Sequence, residues 1–154
     1  MPSFILGKDA AIYYSTTELN GTNTATVLTS ATELLNVMDV SVDMGADYVD
    51  ITTRADAAAG FKTQAQTYKN ASVTFDAKWI PGDTAFDAIV AAWTANSTIA
   101  MFILDQKKSA TTYQGLVGNF FVAISKEEPL ADIQKASITL TLAANGAWYK
   151  KPTV

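Results

Sequence analysis

The sequence predicts a mostly β (α+β) fold: an antiparallel β-sandwich or split barrel with one flanking α-helix and a long loop. Three segments carry that expectation by alternating apolar and polar residues, the mark of strands with one buried and one wet face. Residues 37–44 set Met38, Val40, Val42 and Met44 against Asp39, Ser41 and Asp43. Residues 71–79 set Ala71, Val73, Phe75, Ala77 and Trp79 against Ser72, Thr74, Asp76 and Lys78. Residues 136–142 set Ala136, Ile138, Leu140 and Leu142 against Ser137, Thr139 and Thr141. A fourth segment carries Phe86, Ile89, Val90 and Trp93 at i, i+3, i+4 and i+7, the single apolar stripe of a core helix.

Residues 11–15 form a short aromatic strand. Asn20-Gly21 is a turn signal after which 24–28 pairs back as a strand. Residues 44–47 turn the chain so that 48–53 folds onto 37–44 as a hairpin. From Arg54 to Asn70 neither period holds, and only Phe61 and Tyr68 stand out among Ala, Thr and Gln. This segment reads as a long loop, and loops beyond about 12–15 residues are usually functional or disordered. The strand over 71–79 ends at Pro81-Gly82, and Asp83 caps the helix, with Asp87 also suiting its N-terminal dipole. Residues 99–104 are continuously apolar and read as a strand buried on both faces. Residues 116–125 are a long aromatic strand in which Gly115 and Gly118 offer a bulge. The alternating strand 136–142 and a tail, 146–154, complete a single domain over 1–154. Trp79 and Trp93 read as core, and Trp148, in the tail, as a residue that meets a neighbouring chain.

Composition narrows the chemistry. The chain has 154 residues, 17% of them charged, with no cysteine and no histidine. Disulfides, thiol nucleophiles and histidine-dependent hydrolase or zinc chemistry are thereby excluded. The formal net charge is −4 and Arg54 is the single arginine, a poor endowment for binding phosphates or bases. The uncharged run between Asp87 and Asp105 falls short of the roughly 20 residues of a membrane helix and is interrupted by Thr94, Asn96, Ser97 and Thr98. Residues 1–6 lack a basic leader, so the product is expected to be soluble, unexported and without membrane partners.

Carboxylates are the only acid–base groups left. Asp39, Asp43, Asp47 and Asp50 cluster without a base among them. They read either as calcium ligands or a glycosidase pair, or as the solvated face of a hairpin, which is the default for carboxylates. Their spacing matches no calcium loop, and no phosphate-cradling glycine motif occurs. No catalytic residue, metal site or cofactor is expected.

Two stretches resemble the major tail tube proteins of tailed bacteriophages. The first runs Asp50-Ile51-Thr52-Thr53-Arg54, Gly60-Phe61-Lys62 and Tyr68-Lys69-Asn70-Ala71-Ser72-Val73-Thr74-Phe75. The second runs Gly118-Asn119-Phe120-Phe121-Val122, Glu127-Glu128-Pro129-Leu130 and residues 136–142. With the helix over 83–95 in order between them, the resemblance covers residues 37–142. Relative to a minimal member, residues 16–32 look like an insertion.

The resemblance implies a virion subunit whose six copies form rings that stack into a hollow tube for DNA passage. Its partners would be itself, other tail proteins (tape measure, terminator, baseplate) and passing DNA without specific binding. It would be located in the virion tail and assembled in the host bacterial cytoplasm. A polyanion slides best past a wet wall free of cations. Asp39, Ser41, Asp43, Ser72, Thr74, Asp76, Ser137, Thr139 and Thr141 are the candidate wall residues, with Lys78 the dissenting charge, expected either at the rim or paired with neighbours on the Asp76 side. Arg54, Phe61, Lys62 and Tyr68 are the candidate inter-subunit anchors of the loop, which is expected to order on contact with the adjacent subunit or ring. The alternatives are a monomeric carbohydrate-binding or adhesin-type β-sandwich, an enzyme working with carboxylates alone, and a related tail protein such as a terminator or a tube subunit of a tailocin or type VI secretion system.

Overall fold

A computed structural model describes residues 7–152. The reading of residues 1–6 and the last two residues of the tail lie outside this range. One seven-stranded antiparallel sheet runs in the order β2-β1-β5-β6-β7-β4-β3. Its strands are β1 (Ala11–Ser15), β2 (Thr32–Glu33), β3 (Val37–Asp50), β4 (Gln64–Lys78), β5 (Ile99–Leu104), β6 (Gln114–Glu127) and β7 (Lys135–Lys150). The helices are α1 (Thr24–Ser30), α2 (Arg54–Ala58) and α3 (Thr84–Thr94).

The sheet coils over itself, because residues far apart in strand order share one core. Ile12 of β1 and Met101 of β5 pack in the same cluster as Val73 and Phe75 of β4 and Ile138 and Leu140 of β7. α3 closes this core with Ala85, Phe86, Ile89 and Ala92. Asp83 caps α3 as expected, its carboxylate accepting from the Ala85 N–H at 3.1 Å. The opposite faces of β1 and β5 bury Tyr13, Ala100, Phe102 and Leu104 against Val27 and Leu28 of α1. All six residues of β5 are therefore buried, as its unbroken apolar run predicts.

Several expectations are corrected. Residues 24–28 form helix α1, because Val27 and Leu28 must face one way together to cover β5, and a strand would split them. The fold thus has a second covering helix. No hairpin turns at 44–47: β3 runs unbroken from Val37 to Asp50 and pairs with β4. Residues 54–70 are not a long loop. Thr53 and Asp56 form a reciprocal capping box that starts α2, and β4 begins at Gln64. The tail is strand as far as Lys150. Trp93 is 57% exposed and Val90 is half-buried, so the buried stripe of α3 is shifted toward the smaller Ala85 and Ala92. Trp79 is half-buried, and its ring centroid lies 5.4 Å from that of Phe86.

The expected irregularity near Gly118 is present. Opposite Gly118 and Asn119 the β6–β7 register shifts, and Asn145 of β7 adopts a φ of 54°. A side chain at Gly118 would meet the Leu142 side chain at 2.6 Å and the Gly146 backbone at 3.2 Å. The neighbouring Asn119 is the one buried polar side chain of the described core. Its amide accepts from the Leu19 N–H at 2.9 Å and donates to the Leu19 carbonyl at 2.9 Å. Asn145 donates to the same carbonyl at 2.6 Å, so the segment before α1 is pinned to the sheet. Asn119→Leu strands the Leu19 N–H away from water, and the expected loss is about 1–3 kcal/mol in denaturant unfolding. An unchanged midpoint would remove the clamp from the account.

Candidate functional site

The pairing of β3, β4, β7 and β6 assembles one continuous wet face. Asp43, Ser72, Thr141 and Phe121 form one cross-strand row, and Ser41, Thr74, Thr139 and Ala123 the next. Asp76, Ser137 and Ser125 follow, and Lys78, Lys135 and Glu127 form the end row. Asp39 lies at a bulge between Val37 and Val40, on the same side by alternation with Val40. All nine candidate wall residues are exposed or half-buried, and eight of them fall in these rows. Hydroxyls dominate the middle, the carboxylates are Asp39 and Asp43 on β3, Asp76 on β4 and Glu127 on β6, and the two lysines stand together at one end. Lys135 is offset by Asp132 at 3.4 Å, and Lys78 makes no ion pair among the described residues.

The sequence reading missed the β6 contribution. Phe121, Ala123 and Ser125 extend the face, although Phe120 and Val122 alternate with them as buried neighbours. Phe121 is 49% exposed and is the one aromatic ring in these rows.

The opposite face of β3 departs from expectation. Val40, Val42 and Met44 lie beside Phe75, Val73 and Ala71, yet Val40 and Val42 remain 39% exposed and Met44 59%. The cause is position: β3 is the last strand of the sheet, so no described strand pairs with its outer side. Its fourteen residues contain no lysine, arginine or proline, and what interrupts the edge is four aspartates and two register shifts. The other edge is a two-residue strand.

Beyond the Ser72–Thr141 pair, β4 leaves β7 and continues with β3 alone as a two-stranded arm. A cleft of about 550 Å³ opens between arm and body, lined by Met44, Tyr48, Leu116, Leu142 and Trp148 among others. Arg54, Phe61, Lys62 and Tyr68 are all exposed on the arm, with Phe61 at 76% and Tyr68 at 75%.

Polar contacts hold the arm tip. Thr52 donates its hydroxyl to Asp50 and accepts from the Thr63 N–H at 3.0 Å. The Asp56 carboxylate accepts from the Thr53 N–H at 3.0 Å and the Thr53 hydroxyl at 2.9 Å. Hydrogen bonds from the Thr52 hydroxyl and N–H hold the Asp50 pKa below its ordinary value, and those from the Thr53 N–H and hydroxyl do the same for Asp56. With folded values depressed, this ordering is complete above the ordinary carboxylate pKa and fades as pH falls through the lowered ones. Amide exchange measured against pH, normalised for its intrinsic pH dependence, is expected to lose protection at Ala57 in that acid window alone. Protection independent of pH there would contradict it.

Among the described residues no helix is long and apolar enough to cross a membrane, and no three His, Cys, Asp or Glu side chains gather as a metal site.

No family model and no curated protein matches the chain. Solved structures do. A chain from the tail of an empty gene transfer agent particle, refined with C6 helical symmetry, is 15% identical with a TM-score of 0.69 over 94% of this chain and 98% of that one. The SPP1 tail tube is 13% identical with a TM-score of 0.70, over 97% and 81% respectively. A chain of the anti-feeding prophage baseplate is 7% identical with a TM-score of 0.59, over 99% of each. The chain has the fold of a tail tube subunit.

Proposed function

We propose that the chain is the major tube subunit of a phage or phage-like tail, a structural protein without catalytic activity. Six copies close into a ring through the open β3 edge, and rings stack into a tube whose wall is the wet face of β3, β4, β7 and β6. The observation that carries this reading is the pairing of that continuous wet face with a long edge strand whose apolar side is half exposed. A long edge strand offers a row of backbone groups to which a neighbouring chain can add. The C6 symmetry of the gene transfer agent tail supports the number six. Hydroxyls and carboxylates let duplex DNA pass without holding it, since each added cation would add a phosphate contact. The setting is a virion tail assembled in the bacterial cytoplasm, where tape measure, terminator and baseplate proteins are the further partners.

Negative-stain electron microscopy across a concentration series tests the proposal. Hollow tubes or six-fold rings are the expected result. Isolated subunits at every concentration, even when seeded with tail tips, would overturn it.

A further inference from the structure

We infer that Asn20-Gly21 is a site of spontaneous main-chain modification, where three donors on Asn20 Oδ1 promote closure of the carboxamide onto the Gly21 nitrogen and leave an aspartyl or isoaspartyl residue. Asn-Gly occurs twice in the chain, at 20–21 and at 145–146. Glycine after asparagine is the reactive case, because no Cβ hinders attack by its nitrogen. The fold sets the two pairs against each other: a Cβ built on Gly21 would lie 3.8 Å from Asn145 Oδ1. It treats them in opposite ways.

Asn20 is exposed and folded for the reaction. Its Oδ1 accepts from the Thr22 N–H at 3.0 Å, the Thr22 hydroxyl at 2.9 Å and the Asn23 N–H at 3.0 Å. Two of these donors are backbone N–H groups, which identifies the atom they share as the oxygen. The ring closed through the Thr22 N–H encloses the Gly21 peptide, so the carboxamide is turned back toward the nitrogen that attacks it. Charge developing on Oδ1 during the attack meets donors already in place, the arrangement that stabilises an oxyanion. Among the described residues, neither Asn20 Nδ2, the leaving group, nor the Gly21 N–H, the nucleophile, has a hydrogen-bond partner.

Solvent base takes the Gly21 amide proton, and the nitrogen bonds to Asn20 Cγ. The Cγ–Nδ2 bond then breaks, and Nδ2 leaves with a proton as ammonia. Water opens the resulting cyclic imide at either carbonyl. One opening gives aspartate, and the other gives isoaspartate, whose extra methylene enters the main chain. Leu19 is held by Asn119 through both its N–H and its carbonyl, and the Asn23 carbonyl accepts from the Val27 N–H of α1 at 2.9 Å. Residue 20 lies in the short link between these two fixed points, so the added methylene loosens the start of α1.

Asn145 is the guarded copy. Its Nδ2 donates to the Leu19 carbonyl at 2.6 Å, so the leaving group must abandon that bond before a ring can close. It lies in β7 at a φ of 54°, and the Leu142 side chain fills the place a Cβ at Gly146 would take, so the main chain has little room to turn.

Full-length protein aged in mildly alkaline buffer, then digested, can be followed by mass spectrometry and by labelling with an isoaspartyl methyltransferase. In the folded protein Asn20 is expected to convert about tenfold or more faster than Asn145. In denaturing urea, where only the shared dipeptide remains, the two rates should be similar. Thr22→Val removes one of the three donors from an exposed position and is expected to slow Asn20 about fivefold, with Asn145 unchanged. Equal folded-state rates, or a faster Asn145, would overturn the inference. So would a Thr22→Val rate equal to wild type, since exposure alone would then account for the site. In the isoaspartyl fraction the Val27 amide should exchange faster than in fresh protein, and unchanged exchange would overturn the loosening of α1.

Discussion

Val42→Lys is expected to give a folded, monomeric protein that forms no rings. Val42 sits at mid-strand on β3, opposite Val73, with 39% of its surface exposed. A lysine there can run its stem along the apolar face and place its ammonium in water, so the subunit should lose only about 1 kcal/mol. The cost falls on assembly, because a neighbour packed against β3 would bury that charge without a partner. Sedimentation and electron microscopy should show subunits alone at concentrations where wild type is polymeric, with an unchanged circular dichroism spectrum. Rings of normal yield from the variant would mean that the β3 edge is not the contact.

Thr74→Lys should convert an indifferent wall into a DNA-binding one. Thr74 lies in the middle of the wet face, between Ser41 and Thr139. In a six-fold ring the substitution sets six cations around the passage, and stacked rings repeat them. For about six or more phosphate contacts, affinity falls on the order of a thousandfold between 50 and 200 mM salt. Tubes of the variant should therefore retain duplex DNA at low salt, protect it from nuclease and release it steeply as salt rises, while wild-type tubes do none of these. Retained DNA that nuclease digests freely would place Thr74 on the outside of the tube.

What could be read in advance depended on what lay beneath each segment. β5 and the halves of β4 and β7 that cover the core announced themselves, because burial forces their pattern. The nine candidate wall residues came from the same alternation, read on its polar side. The arm was opaque for the complementary reason: residues 64–70 have no core under them, so Gln64, Ala65, Gln66 and Thr67 owe nothing to a buried face. Only the Thr53 and Asp56 pair carried a local signal there, the capping box that starts α2. α1 was misread because its two core residues are adjacent, and adjacency alone does not separate a short helix from a strand. Trp93 fits the helical stripe by spacing, but the sheet needs the small Ala85 and Ala92 for close approach. The exposure of β3 could not be foreseen from its own letters, since it follows from the strand's place at the end of the sheet.

The parting of β4 from β7 on the N-terminal side of Ser72 has a mechanical side. One strand is clamped along half its length and cantilevered along the other, so a load on its free end turns about that junction. In a curved filament of such units, the outer side must lengthen and the inner side shorten. A hinge at the root of each beam absorbs that strain through small rotations, with the clamped halves left undisturbed. Classification of bent and straight filaments should concentrate the positional variance in residues 44–50 and 64–71, and variance spread evenly over the subunit would argue against the hinge. Flexure would then be a property of how far two neighbouring strands agree to run together.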